Sequence, residues 1–238
     1  MKEKLYTIPV NDAFAKDCEC PLCAMYKELE NDAIEYTMGP SYMEDDIREE
    51  TDKIGFCKKH VPLLYKNQNR LGLALMLKTH MDKTVADIEN LANGYKVKNS
   101  LLKKTVTDNP VGEYITALNK SCFVCDRVNN TFERYVHTII YLYKTDNSFK
   151  ETFKNCKGFC TEHFENMYTM ALTELSGAVR DEFINDIKNL YVNNMKRVIE
   201  DLDWFINKFD YRYANEPWKN SKDALIRTIQ KTNSTEVD

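Results

Sequence analysis

One arrangement of cysteines and histidines occurs twice in this 238-residue chain, and it limits what the chain can fold into more than any other feature. It runs Pro9-Val10, Cys20-Pro21-Leu22-Cys23 and Gly55-Phe56-Cys57-Lys58-Lys59-His60, then Pro110-Val111, Cys122-Phe123-Val124-Cys125 and Gly158-Phe159-Cys160-Thr161-Glu162-His163. From Pro9 to Pro110, Cys20 to Cys122 and Cys57 to Cys160 the offset is 101, 102 and 103 residues. A drift of one residue per landmark is what two copies of one unit retain after single-residue insertions.

A CxxC pair followed by CxxH supplies three thiolates and one imidazole, the set that suits tetrahedral Zn(II). Spacing within each copy predicts one site from Cys20, Cys23, Cys57 and His60 and another from Cys122, Cys125, Cys160 and His163. Each would clip together two helix starts of its own half. A Cys3His zinc centre carries a net charge of about -1, and helix N-termini offer it unpaired N–H groups and positive dipole ends. Cysteine and histidine three residues apart lie one helical turn apart and can face one ion. The glycine two residues before each cysteine permits a turn that a β-carbon would hinder. The two zinc ions are expected to be structural, because four protein ligands leave no open position.

Two cysteines fall outside the repeat, Cys18 in the first copy and Cys156 in the second, and are candidate accessory residues. With them each copy holds four cysteines and a spare histidine, which gives an iron-sulfur cluster as the alternative cofactor. Dithiol redox chemistry at Cys20-Pro21-Leu22-Cys23 would need a strand and a βαβ context, and the sequence contains neither.

Only seven glycines and six prolines punctuate the chain, too few for the turns of a β-sandwich or barrel of this length. Helical spacing is evident instead: Leu22, Tyr26, Leu29, Ala33 and Tyr36 in the first copy, Val128, Phe132, Tyr135, Ile139 and Tyr143 in the second. The predicted fold is all-α: two pseudo-repeat helical halves, each clipped by a Cys3His site, plus a C-terminal helix. Expected boundaries are residues 1–95 for the first repeat, 96–109 for a lysine-bearing linker, 110–213 for the second repeat and 214–238 for the last helix and tail. Short helices are expected near 42–52 and 148–155. Each copy should end in a long helix with a buried stripe: Leu73, Leu77, His80, Thr84, Ile88 and Leu91 in the first, and Ile184, Ile187, Tyr191, Met195, Val198, Leu202, Phe205 and Phe209 in the second. The latter would be unbroken from Val179 to Tyr211, and a last helix is expected near Lys222 to Lys231.

Charge narrows the partners. Thirty-three basic against 37 acidic side chains give a net charge of -4, with no global attraction to nucleic acid or an anionic membrane. The only basis for nucleic-acid binding is the linker and Lys219, Lys222, Arg227 and Lys231. No apolar stretch is long enough to insert in a membrane. The first nine residues lack the apolar core of a secretory signal. A cytoplasmic location follows as the expectation, and there closely paired thiols serve as metal ligands rather than disulfides.

The first copy has an acidic segment that the second lacks, and Glu44, Asp45 and Asp46 with His80 form a candidate ligand pocket. No GxGxxG, P-loop, GxSxG or HExxH is present, so no residue is assigned as catalytic. The favoured function is a zinc-binding helical scaffold that takes a protein partner or small ligand. The alternative is a metal-dependent or iron-sulfur redox enzyme with a site between the halves.

Ile8-Pro9-Val10-Asn11-Asp12-Ala13-Phe14, Glu19 to Cys23, Gly39 to Arg48, Gly55-Phe56-Cys57 with His60, and Glu216-Pro217-Trp218 resemble an uncharacterised bacterial family of unknown function, found mainly among anaerobic Gram-positive bacteria. The resemblance extends over almost the whole chain. It implies a cytosolic bacterial protein and brings no activity or substrate with it.

Overall fold

The computed structural model describes residues 4–94 and 109–237, so most of the expected linker, 96–108, lies outside the described residues. Among the described residues every regular element is helical. The first copy contributes α1 (Lys4–Ala15), α2 (Pro21–Met38), α3 (Asp45–Ile54), α4 (His60–Lys66) and α5 (Arg70–Gly94). The second contributes α6 (Pro110–Leu118), α7 (Phe123–Thr145), α8 (Asn147–Asn155), α9 (Thr161–Glu174) and α10 (Gly177–Asn207), and α11 (Ala224–Asn233) closes the chain. The all-α prediction and the order of short and long helices are as the spacing indicates.

Several local choices are plain in the sequence. Pro110 opens α6, where its missing N–H costs nothing, and the Asn109 side chain accepts from the Gly112 N–H at 2.9 Å. Asp146 caps α8 by accepting from the N–H groups of Ser148 and Phe149. Gly39-Pro40 ends α2, but the next element is first a 3-10 turn, Pro40–Met43, and α3 starts only at Asp45. The long last helix also stops earlier than expected. At Asn207 the bonding tightens to i+3, with Phe209 N–H donating to Ile206 O at 3.1 Å and Asp210 N–H to Asn207 O at 3.0 Å. Asp210 then caps a separate turn, Tyr211–Tyr213. Over its 31 residues α10 is about 46 Å long at 1.5 Å per residue.

The described chain divides into two compact units, and they cut across the repeat boundaries. One comprises Met1–Glu28 with Thr131–Asp238, the other Leu29–Asn130. Each copy's first helix and CxxC pair therefore belong to the unit built from the other copy's later helices. The compact units thus do not follow the boundaries of the pattern read from the spacing.

In the first unit α1 packs on α8, and α11 packs on α9 and α10. Its core is aromatic: Phe14, Phe149, Phe153, Phe159, Tyr143 and Phe183 are buried, with edge-on and tilted ring pairs such as Tyr143–Phe183 at 4.7 Å and Phe14–Phe149 at 5.1 Å between centroids. The Tyr143 hydroxyl donates to Asp186 at 2.5 Å, which meets the polar end of a buried ring. In the second unit α3 and α6 pack on α5, around Ile47, Leu64, Leu73 and Met76. There Arg48 donates to Leu75 O and to Thr79 Oγ1 at 2.8 Å.

Candidate metal centres

All eight repeat cysteines and histidines gather into two Cys3His groups, in which each donor atom lies within 4.8 Å of the others. Their membership is exchanged between the copies. The first centre is Cys20, Cys23, Cys160 and His163, and the second is Cys57, His60, Cys122 and Cys125. The expectation that each copy closes its own site is therefore corrected. The repeated pattern names the residues that come together, but spacing along one copy carries no information about which copy's CxxC meets which CxxH.

Helix starts deliver these donors. In the first centre Cys20 immediately precedes α2, and its Sγ accepts from the Cys23 N–H at 3.5 Å. Cys160 caps α9, its Sγ accepting from the His163 N–H at 3.4 Å. Orphan N–H groups of two helices thus already face the candidate ligand sulfurs. In the second centre the Gly55 carbonyl accepts from the Phe123 N–H at 3.0 Å, and Ser121 Oγ donates to Ile54 O at 2.7 Å. These two bonds hold the GFC turn of one copy against the CxxC of the other.

Both turns need glycine. Gly55 has φ 62° and Gly158 φ 75°. A β-carbon on Gly55 would lie 2.5 Å from the His80 ring, and one on Gly158 2.8 Å from the Leu190 carbonyl oxygen, backbone that cannot swing aside.

Donor separations match a single small ion. Thiol sulfurs stand 3.9 Å apart for Cys20 and Cys160, 3.5 Å for Cys23 and Cys160, and 3.8 Å for Cys57 and Cys125. His163 Nδ1 lies 3.1–3.5 Å from its three sulfurs, and His60 Nδ1 lies 3.3–3.4 Å from its own three. The protein groups alone bias each set toward a thiolate and an imidazolium. Burial opposes the charge on His60, yet bonds to Cys122 and Glu30 carry it up to about 9. At Cys122 burial is likewise outweighed, by His60 and by backbone N–H groups, and the thiol falls to about 6. His163 is raised to about 10 against its burial by Cys160 and Cys20, while Cys160 is lowered mainly by bonds from Cys20 and Cys23.

The surroundings of the two centres have diverged. His60 Nε2 lies 3.1 Å from Glu30 Oε1, and Lys59 reaches the same oxygen at 2.8 Å. The hydrogen bond from His60, helped by Lys59, holds the Glu30 carboxyl down to about 2 against its burial. A carboxylate on the far nitrogen of a metal-binding histidine fixes its tautomer and raises its basicity. Glu30 follows Cys20 by ten residues, and ten residues after Cys122 stands Phe132, whose ring lies 5.3 Å from that of His163. The first centre is instead closed by α11. Lys231, only 1 % exposed, donates to Glu19 O at 2.5 Å and Lys157 O at 2.6 Å, and Ser234 Oγ donates to Cys160 Sγ at 3.1 Å. Arg197 pairs with the Glu19 carboxylate at 2.5 Å. Replacing Glu30 by Gln should weaken metal binding at the second centre 10- to 100-fold while the first is unchanged, read by competition with a chromophoric chelator.

The remaining sequence candidates fall elsewhere. Cys18 and Cys156 join neither four-donor group, and both belong to the first unit instead of one to each copy's site. They line a cavity of about 550 Å³ with Phe14, Lys16, Asp17 and Glu151. Burial raises both thiols, Cys156 to about 12, which suppresses their nucleophilic form. Glu44, Asp45 and Asp46 are exposed at the start of α3, as the helix dipole favours. His80 Nδ1 bonds to Asp52 O at 2.9 Å and its ring packs against the Gly55 turn, so its described contacts are structural. Of the four basic residues near the end, Lys231 is buried and Arg227 pairs with Asp201 and Asp223, both at 2.8 Å. Sequence reading missed Glu30, Glu19, Arg197 and Ser234. The signal for Glu30 was a carboxylate in a buried stripe at a position where the other copy has phenylalanine.

No helix among the described residues is long and apolar enough to cross a membrane. No curated protein and no solved structure matches the chain. A family model matches residues 1–238, and the chain belongs to that family, the family of unknown function DUF6062.

Proposed function

We propose that this chain is a zinc-stabilised helical scaffold that works by binding a protein partner or small ligand, with both metals structural. The observation that carries the reading is the completeness of both donor sets. Each has four protein donors at separations suited to one tetrahedral ion, leaving no position for a substrate. Zn–S bonds of about 2.3 Å put tetrahedral thiolates about 3.8 Å apart, against the 3.5–3.9 Å separations seen. An iron-sulfur cluster places its own iron and sulfide between the thiolates and needs a wider cage. All eight cysteines are free thiols, which favours a reducing compartment such as the cytoplasm.

Metal analysis with a visible spectrum, on protein purified without oxygen, tests this. Two zinc ions per chain and a colourless solution are expected; iron with sulfide and a brown colour would overturn it. Metal uptake should also release protons. Near pH 7 His60 and Cys125, and at the other centre His163 and Cys23, each hold a proton that the bound form cannot keep, since burial and hydrogen bonds to the neighbouring sulfurs raise these thiols. At least two protons per ion are expected, and affinity should fall at least about 100-fold for each unit the pH is lowered. Calorimetry in buffers of different ionisation enthalpy counts them.

A further inference from the structure

The long helix α10 carries two apolar faces, and the core uses only one. Phe183, Ile187, Leu190 and Val198 are buried in the first unit. A second row, Val192, Met195, Ile199, Leu202, Ile206 and Phe209, advances by three and four residues alternately, the spacing of a coiled-coil seam. The sequence stripe had assigned Phe209 to the core, yet it is 77 % exposed, and Ile206, Ile199 and Val192 are 58, 56 and 40 % exposed. Met195 and Leu202 are half-buried. Phe209 follows the helix by one tightened turn, and its ring lies 5.4 Å from that of Phe205. A continuous exposed apolar row of this length is uncommon on a monomer and marks an interface.

We propose that this seam is a homodimer interface, in which α10 packs antiparallel against α10 of a second copy. The seam is self-complementary about its midpoint. Antiparallel pairing sets Val192 opposite the second copy's Phe209, Met195 opposite its Ile206 and Ile199 opposite its Leu202, and the same three layers recur by symmetry. An isologous contact requires this match of a patch with itself. Charge flanking the seam agrees. Lys196 and Asp203 are both exposed and each follows a seam residue by one position. In the antiparallel register Lys196 of each copy meets Asp203 of the other, giving two reciprocal ion pairs of the kind that set orientation and partner. Because the helix is already formed, dimerisation orders little new chain, and a Kd on the order of micromolar is expected for a contact of this modest size.

Sedimentation of the full metal-loaded chain across a concentration series tests the proposal. A monomer–dimer equilibrium is expected, with Ile199→Asp weakening it at least tenfold; circular dichroism and metal content should not change, since this side chain lies outside the core. Lys196→Asp and Asp203→Lys should each weaken the dimer, and the double exchange K196D/D203K should restore it. A chain that stays monomeric throughout the series, a dimer indifferent to Ile199→Asp, or single charge reversals that the double exchange fails to rescue would each overturn it.

Discussion

The variant C20S/C160S should bind one metal ion per chain and C20S/C57S none tightly. The first pair removes two ligands from one centre and leaves the other intact; the second takes one thiolate from each. If each copy closed its own site, the outcomes would be reversed, because Cys20 and Cys57 would then share an ion. Metal stoichiometry on the two purified variants decides between the arrangements without a structure. Stability should follow occupancy. The one-metal variant is expected to keep the helices of Leu29–Asn130 while those of Met1–Glu28 with Thr131–Asp238 lose protection, read by amide hydrogen exchange.

Stripping both metals with a strong chelator should unfold much of the chain. Structural zinc contributes on the order of 10 kcal/mol or more to folding, comparable to the entire stability of about 5–15 kcal/mol that a domain usually has. Loss is expected in two steps, the second centre first. Cys57 and Cys125 there are only partly buried, whereas all four donors of the first centre are buried and overlaid by Lys231 and Ser234. Unit composition adds to this order. The aromatic cluster around Phe153 and Phe183 gives the first unit a large apolar core, while the second buries smaller and fewer side chains around Ile47, Leu64 and Met76. A chelator titration followed by circular dichroism and released metal should show an early partial loss of helicity, then a later one. Simultaneous release, or full helicity after removal of both ions, would show that the metals do not hold these units.

Much of this site was legible from residue type and spacing. Cysteine and histidine chemistry has few uses in such a pattern, so Cys20, Cys23, Cys57, His60 and their counterparts could be named as candidate ligands from the chain alone, and the structure gathers them into two groups able to hold a metal. Gly55 and Gly158 were legible for a similar reason, since a left-handed turn at fixed distance from a ligand admits little else. Periodicity gave the helices, because burial of one face imposes a repeat of 3.6 residues on any sequence. It misjudged Phe209, since a heptad row reads the same whether it faces the core or water.

The sequence by itself determined the helical class, the twice-occurring Cys/His pattern and the glycine turns beside it, and it named the eight residues that gather into two groups able to hold a metal; these depend on chemistry local to a few residues. Tertiary structure alone decided the exchange of CxxC pairs between copies and the division of the chain at Glu28 and Asn130. It also placed Glu30 behind His60 and Lys231 between Glu19 and Lys157. The physical reason is that two Cys/His patterns of the same spacing offer nearly identical partners to each other. Which partner is taken depends on how the chain runs through α2 and α7, and no residue within a single copy records that path.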